Sequence, residues 1–276
     1  DQYSQELRLA SPKGEFLEYV GGLFYMHGKD DETYQRTLTT PTSLNRGVAD
    51  YSTTSDSYAV FGESTLNFTS NFRGIAGLRW THDDLEYDHR RVSTSATTVS
   101  GIQPATSSSG SVDEDGWSGR LGVQYDLSDT VTTYLTYSRG YKGPAYNVFF
   151  NMQPRDTEAL KPETSNTWEA GIKATAWNHR LTTNLAVFHS DYDNYQANFF
   201  DTVAGQVVTR LINAGSVSTE GVELDYALQA TQQLKFSGAL AYTRARIDEF
   251  ACPAGAAASC NVNGKPLPFS PDWKSY

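Results

Sequence analysis

The feature that most constrains this chain is the spacing of its turns. Clusters of Gly, Pro, Asn, Asp and Ser cut it into segments near 3–11, 16–30, 57–69, 72–88, 114–127, 131–140, 165–177, 181–199, 206–229 and 234–249, and an eleventh begins near Asp272. Within the segments apolar and polar residues alternate with period two, the pattern of strands with two unlike faces. No segment has a convincing helical period. Five connections are tight, at 11–15, 69–71, 127–130, 177–180 and 231–233. Between them fall connections of about 20–26 residues near 31–56, 89–113, 141–164 and 250–271, with one short exception near 200–205. A soluble sandwich or propeller has little reason to alternate short and long connections. An antiparallel transmembrane β-barrel does, with tight turns on the periplasmic side and long loops outside. Loops this long are uncommon in a compact domain unless they are functional. The expected fold is therefore all-β.

The faces agree. Phe72, Gly74, Ala76, Leu78 and Trp80 oppose Arg73, Ile75, Gly77 and Arg79, and Trp117, Leu121, Val123 and Tyr125 oppose Ser118, Arg120 and Gln124. Trp168, Ala170 and Ile172 oppose Glu169 and Lys173, and Val222, Leu224, Tyr226 and Leu228 oppose Glu223 and Asp225. Aromatics at strand ends with small or aliphatic residues between them suit interfacial girdles around an apolar band. Arg73, Arg79, Arg120, Lys173, Glu223 and Asp225 are then expected to face a wet lumen. Only every second residue meets lipid, which explains a mean hydropathy of -0.50 beside 17 Tyr, 13 Phe and 5 Trp. Gly215 and Gly221 fall where the long 206–229 strand is expected to leave the bilayer, a place for bulges and bends. A net charge of -10 argues against a nucleic-acid partner, which needs a basic face. No signal peptide is visible at Asp1, so the chain reads as processed or as part of a longer one.

Chemical motifs are few: there is no HExxH, no nucleotide loop and no GxSxG. His82, Asp83, Asp84 and His89 lie near one strand end, and the plainer reading is solvated side chains, with no metal. The best ligand candidate is "SRGYKGPAYNVFF", where Arg139 and Lys142 are cationic, Tyr141, Tyr146 and Phe149 can stack, and Asn147 adds an amide. That mixture suits an anionic or aromatic chelate. The same residues also suit a girdle and loop base. Cys252 and Cys260 share one Ala/Gly-rich loop. A disulfide between them closes a ring worth roughly 2–3 kcal/mol in an oxidising compartment; the alternative is two free thiols.

Five stretches occur in a telling order: "SRGYKGPAYN" (138–147), "LKPETSNTWEAGIK" (160–173), "RLTTNLAVFHSDYDNYQ" (180–196), "INAGSVSTEGVELDYAL" (212–228) and "LKFSGALAYTRARI" (234–247). Together they resemble the barrel of a TonB-dependent outer-membrane receptor of the siderophore-receptor kind. The specific match covers about 130–276; residues 1–130 fit by strand pattern alone. Pro144-Ala145 stands where the family often has glycines. The resemblance implies a portion of a barrel of about 22 strands, with a plug domain in the whole protein that this chain lacks. It implies no cofactor and no enzyme activity. It implies uptake of a ferric siderophore or similar chelate at the outer membrane of a Gram-negative bacterium, with the TonB complex acting through the plug. Cobalamin or oligosaccharide uptake, a passive porin, a hydrolase using Asp83, Asp84 and His89, and a soluble adhesin are the rival readings.

Overall fold

The computed structural model describes residues 1–250, 252 and 260–276. Eleven antiparallel strands form one sheet: β1 (Gln2–Ala10), β2 (Leu17–Thr39), β3 (Leu44–Asn67), β4 (Phe72–Ser93), β5 (Thr106–Ser128), β6 (Val131–Lys142), β7 (Glu163–Ala176), β8 (Leu181–Asp193), β11 (Gly215–Gln229), β12 (Lys235–Phe250) and β13 (Trp273–Ser275). β9 (Gln196–Val203) and β10 (Gln206–Asn213) pair only with each other. Strand neighbours follow chain order, and β1 and β13 are the sheet's two edges.

Three expectations are corrected by this arrangement. First, 31–56 and 89–113 are largely strand: β2 and β3 run on to a turn at 40–43, and β4 and β5 leave only 94–105 between them. The reason is that Asp31, Thr33, Asp50 and Ser52 lie beyond the apolar band, where both faces are wet. Alternation disappears from the sequence while the ladder continues. Strands of 22–24 residues are about twice the ~9–11 that cross a bilayer, so these hairpins project well above it. Second, the expected strand 206–229 breaks at Ala214, whose N–H bonds the Tyr195 carbonyl (2.7 Å). Gly215 takes φ +105, open to glycine at little cost, and the β11–β12 register slips between Ser216 and Val217. Third, the expected strand 181–199 breaks at Asn194 (φ +53), which releases β9 with β10 as a separate hairpin.

Register carries one continuous inner face across the sheet. Arg79 stands opposite Ser118, Gly77 opposite Arg120, Lys173 opposite Asn184, Asn184 opposite Asp225, and Ala186 opposite Glu223. The other face is apolar and exposed, with Leu78, Leu121, Leu135, Ile172 and Val187 between its ends. Two aromatic rows bound it. Phe16, Phe68, Phe72 and Tyr125 touch in sequence at 6.4, 5.5 and 6.4 Å. Trp80 lies opposite Trp117, and Tyr137 packs at a tilt against Trp168, ring centres 5.0 Å apart. Eight residues separate Phe72 from Trp80 and Trp117 from Tyr125, about 26 Å along a strand. With the usual tilt this frames the apolar band of a barrel wall.

Most of the large apolar side chains that are fully buried lie in a cap above the girdles, which holds Ala49, Tyr87, Ile102, Phe150, Met152 and Val203. Each large side chain buried there contributes about 1.5–3 kcal/mol. The cap joins the upper hairpins to the loops at 94–105 and 143–162 and to the β9–β10 hairpin.

Candidate functional site

The inner wall is built by charges that reach over glycines. Arg120 donates to both oxygens of Glu63 (2.8 and 2.6 Å) across the intervening strand, passing over Gly77. A Cβ at Gly77 would lie 3.1 Å from the Glu63 carboxylate, so a side chain there would push the pair apart. Arg73 donates to Asp126 (2.6 Å), and Lys173 lies over the Tyr134 ring at 5.5 Å. Glu223 belongs to the row that starts at Tyr134, and Asp225 to the row of Lys173. The six residues expected in the lumen share one face of the sheet, opposite the apolar one. Arg79 differs from Arg73 and Arg120 in its partners. Its guanidinium packs over Phe24 (5.0 Å) and Phe61 (5.7 Å) and donates to Thr81 (3.1 Å), and no carboxylate among the described residues is within ion-pair distance.

Above that wall the loop 143–162 is stapled from below and from the side. Arg91, itself buried, donates to the carbonyls of Phe150 (2.7 Å), Met152 (3.2 Å) and Pro104 (2.9 Å). Burial brings its guanidinium down to about 10, still cationic at neutral pH. Arg210 of β10 donates to the fully buried Asp156 from Nε (2.7 Å) and Nη2, and to Asp201 (3.3 Å). Gln196 of β9 donates to the carbonyls of Gly143 (2.9 Å) and Lys161 (3.1 Å). None of Arg91, Asp156, Gln196 and Arg210 is marked by a motif or a period. Their partners are 9 to 61 residues away in sequence, which pattern reading does not connect.

The ligand candidates of 139–147 divide. Arg139 does not point inward. It pairs opposite Asn166 on the outer face and donates to it at 3.4 Å, because β6 and β7 keep strict alternation and Tyr137 and Trp168 beside them face out. The Tyr141 ring lies over Gly116, where a Cβ would come within 2.3 Å of it, and its hydroxyl is buried without a hydrogen-bond partner. Lys142 approaches Glu163 at 3.9 Å and stays half-exposed. Tyr146 packs at a tilt against the buried Tyr87, ring centres 4.6 Å apart. Asn147 is a structural staple: its amide accepts from Leu211 N–H (2.7 Å) and donates to Leu211 carbonyl (2.8 Å), as a strand would. Phe149 belongs to the same loop, which Pro144-Ala145 enters through a bridge from Ala145 to Leu160.

The four residues His82, Asp83, Asp84 and His89, in the upper half of β4, do not converge. His82 and Asp84 face out, where His82 lies 2.9 Å from Asp115 and 3.6 Å from Asp84. Asp83 is inside, beside the backbone of Gly143. His89, expected to be solvated, is buried at 2% exposure, stacks on Tyr51 at 6.0 Å, and leaves both ring nitrogens without a partner. Burial first, and then the Arg91 guanidinium, hold its imidazole below the ordinary value near 6.5. Cys252 and Cys260 are free thiols, and Cys260 as hydrogen-bond partner pushes the Cys252 thiol up to about 11.

Known proteins share this architecture. A solved structure of the ferric yersiniabactin uptake receptor FyuA from Yersinia pestis superposes with a TM-score of 0.80 at 21% identity, over 99% of this chain and 38% of that one. The siderophore receptor PiuA from Acinetobacter baumannii gives a TM-score of 0.75 at 15% identity, over 99% of this chain and 42% of that one. In sequence, the catecholate siderophore receptor Fiu of Escherichia coli (strain K12) is 24% identical over 254 residues, 86% of this chain and 32% of that protein. The metal-pseudopaline receptor CntO of Pseudomonas aeruginosa is 26% identical over 192 residues, 70% of this chain and 24% of that protein. The chain thus spans about a third or less of the curated relatives' length. A family model described as "TonB dependent receptor-like, beta-barrel" matches residues 2–275, and this chain, with its apolar outer band and charged inner wall, belongs to that family of outer-membrane barrels.

Proposed function

We propose that the protein containing this chain is a receptor that imports a ferric siderophore or similar metal chelate across the outer membrane, driven by the TonB complex through a plug inside the barrel. The observation that carries the reading is the cap. A transport barrel needs a preorganised extracellular surface above a charged wall, and here loop 143–162 is held over the wall by Arg91, Arg210 and Gln196. Lys142, Tyr141 and Tyr146 are the side chains of that loop base suited to an anionic aromatic chelate. Arg79, without a carboxylate of its own among the described residues, is suited to an acid on the plug. The names of the relatives, receptors for catecholate siderophores and for metal-pseudopaline, support a chelate over cobalamin or an oligosaccharide. Transport, not catalysis, is the reading, since Asp84 faces the side opposite to Asp83 and His89, and Asp83 lies six residues, about 20 Å along the strand, from His89.

The test is uptake of radiolabelled iron by cells lacking the gene, presented as a panel of catecholate, hydroxamate and carboxylate chelates. Loss of uptake of one class, restored by the gene but not by a strain without TonB, is the expected result. Restored uptake should fall several-fold with Lys142→Gln plus Tyr146→Ala. Unchanged uptake of every chelate in the deletion strain refutes the proposal. A steady ion conductance in planar bilayers without added ligand would instead support a porin.

A further inference from the structure

The outer face holds a groove that the transport reading does not use. It has a volume of about 710 Å³ and lies across β2–β6. Its walls are Tyr19, Leu78, Trp117, Leu121 and Tyr137, all on the lipid-facing side. Its floor is backbone, because Gly21 stands opposite Gly62, Gly62 opposite Leu78, and Leu78 opposite Gly119. At its β6 end stands Arg139, opposite Gly119 and exposed. Arg139 has one hydrogen bond, to Asn166 at 3.4 Å, and no carboxylate among the described residues pairs with it.

Height decides what this cation meets. The Arg139 row lies two residues below the Trp80–Trp117 row and, on its own strand, two residues above Tyr137, so it stands at the level of the upper girdle. On one side the row is apolar, through Gly119 and Leu78. On the other it becomes polar, through Asn166 and Asp191. An outward arginine is unfavourable at the middle of the bilayer and tolerated at the interface, where lipid phosphates lie. A guanidinium matches a phosphate with two parallel hydrogen bonds. We infer that this groove binds one phosphorylated lipid of the outer leaflet, seating an acyl chain between Leu78 and Tyr137 with its headgroup phosphate on Arg139. The inference rests on the membrane-spanning barrel but not on the identity of the transported chelate. The charge complementarity is what singles out a phosphorylated lipid over a neutral one or a second protein.

The experiment uses the full-length receptor, extracted in mild detergent, delipidated, and mixed with bis-phosphorylated lipid A for native mass spectrometry. A one-to-one adduct is expected. Arg139→Gln should lower its occupancy by about tenfold or more. Gly62→Leu fills the groove and should do the same. A Cβ at Gly62 has only a backbone oxygen at 3.8 Å, so that variant should still fold, and heat-modified migration on gels checks this. Enzymatically dephosphorylated lipid A should give no adduct. Absence of an adduct with the wild-type protein, equal occupancy in Arg139→Gln, or equal binding of the dephosphorylated lipid overturns the inference. Chelate uptake by the Arg139→Gln strain should match wild type. Unchanged uptake of every chelate in the deletion strain would refute the transport proposal while leaving the lipid result standing.

Discussion

Replacing Asp156 by Asn tests whether the cap is one cooperative unit. Asp156 is fully buried, accepts from Nε and Nη2 of Arg210, and accepts the Gln153 N–H at 2.8 Å. Arg210 is itself nearly buried on β10. Removing one partner of a buried ion pair leaves an uncompensated charge, which costs about 3–5 kcal/mol. Here Arg210 retains Asp201 at 3.3 Å, so the lower end applies, about 3 kcal/mol. At ~1.36 kcal/mol per decade, opening of the cap should become about a hundredfold more frequent. Hydrogen exchange of the full receptor in detergent reads this directly. Peptides from 143–162 and 196–213 should lose about two decades of protection, while peptides from 72–80 should not change. The double variant Asp156→Leu with Arg210→Met should recover most of the loss, because it removes both charges together. A change of less than threefold in 196–213 for Asp156→Asn would show that this pair does not hold the hairpin.

Two further outcomes follow from the titrating groups of the cap and the last loop. His89 has a folded-state value below its ordinary one near 6.5, so the open form takes up a proton first. Stability of the closed loop is therefore full above about 6.5 and declines as pH falls toward the folded-state value. Arg91 beside it, and Tyr51 stacked on it with Glu32 behind, are the groups that face it. Exchange of 143–162, corrected for intrinsic rates, should be faster at pH 5.5 than at 7.5, and His89→Phe should abolish the difference; an unchanged difference in that variant would locate the effect elsewhere. For the cysteines, the two free thiols of the last loop are expected to join when the receptor meets the oxidising periplasm during assembly. Peptide mapping of the receptor from outer membranes should show both alkylated only after reduction; alkylation of both without reduction rejects the bond.

Much of the wall was legible in the amino-acid order. Strand period, tight turns at one end, the two girdles and the shared face of Arg73, Arg79, Arg120, Lys173, Glu223 and Asp225 all follow from one local rule. Successive side chains of a strand point to opposite faces, and lipid accepts only one kind. The rule holds wherever one face meets lipid and lapses above it. That is why β2–β5 outran their expected ends among Asp31, Asp50 and Asp88, where both faces are wet. It also bears on Arg139, whose charge suggested a ligand contact while its register places it outside, opposite Asn166.

The cap belongs to tertiary structure alone. Asn147 binds Leu211 across 64 residues, Arg91 binds Phe150 across 59, and Arg210 binds Asp156 across 54. A sequence can state that such polar residues occur in loops, but not that three loops fold onto one another and bury them. Periodicity reports the environment of a strand that crosses a boundary between two solvents. Once the chain leaves that boundary, only the meeting of distant segments decides which charges are paired, which are buried, and which remain free for a ligand.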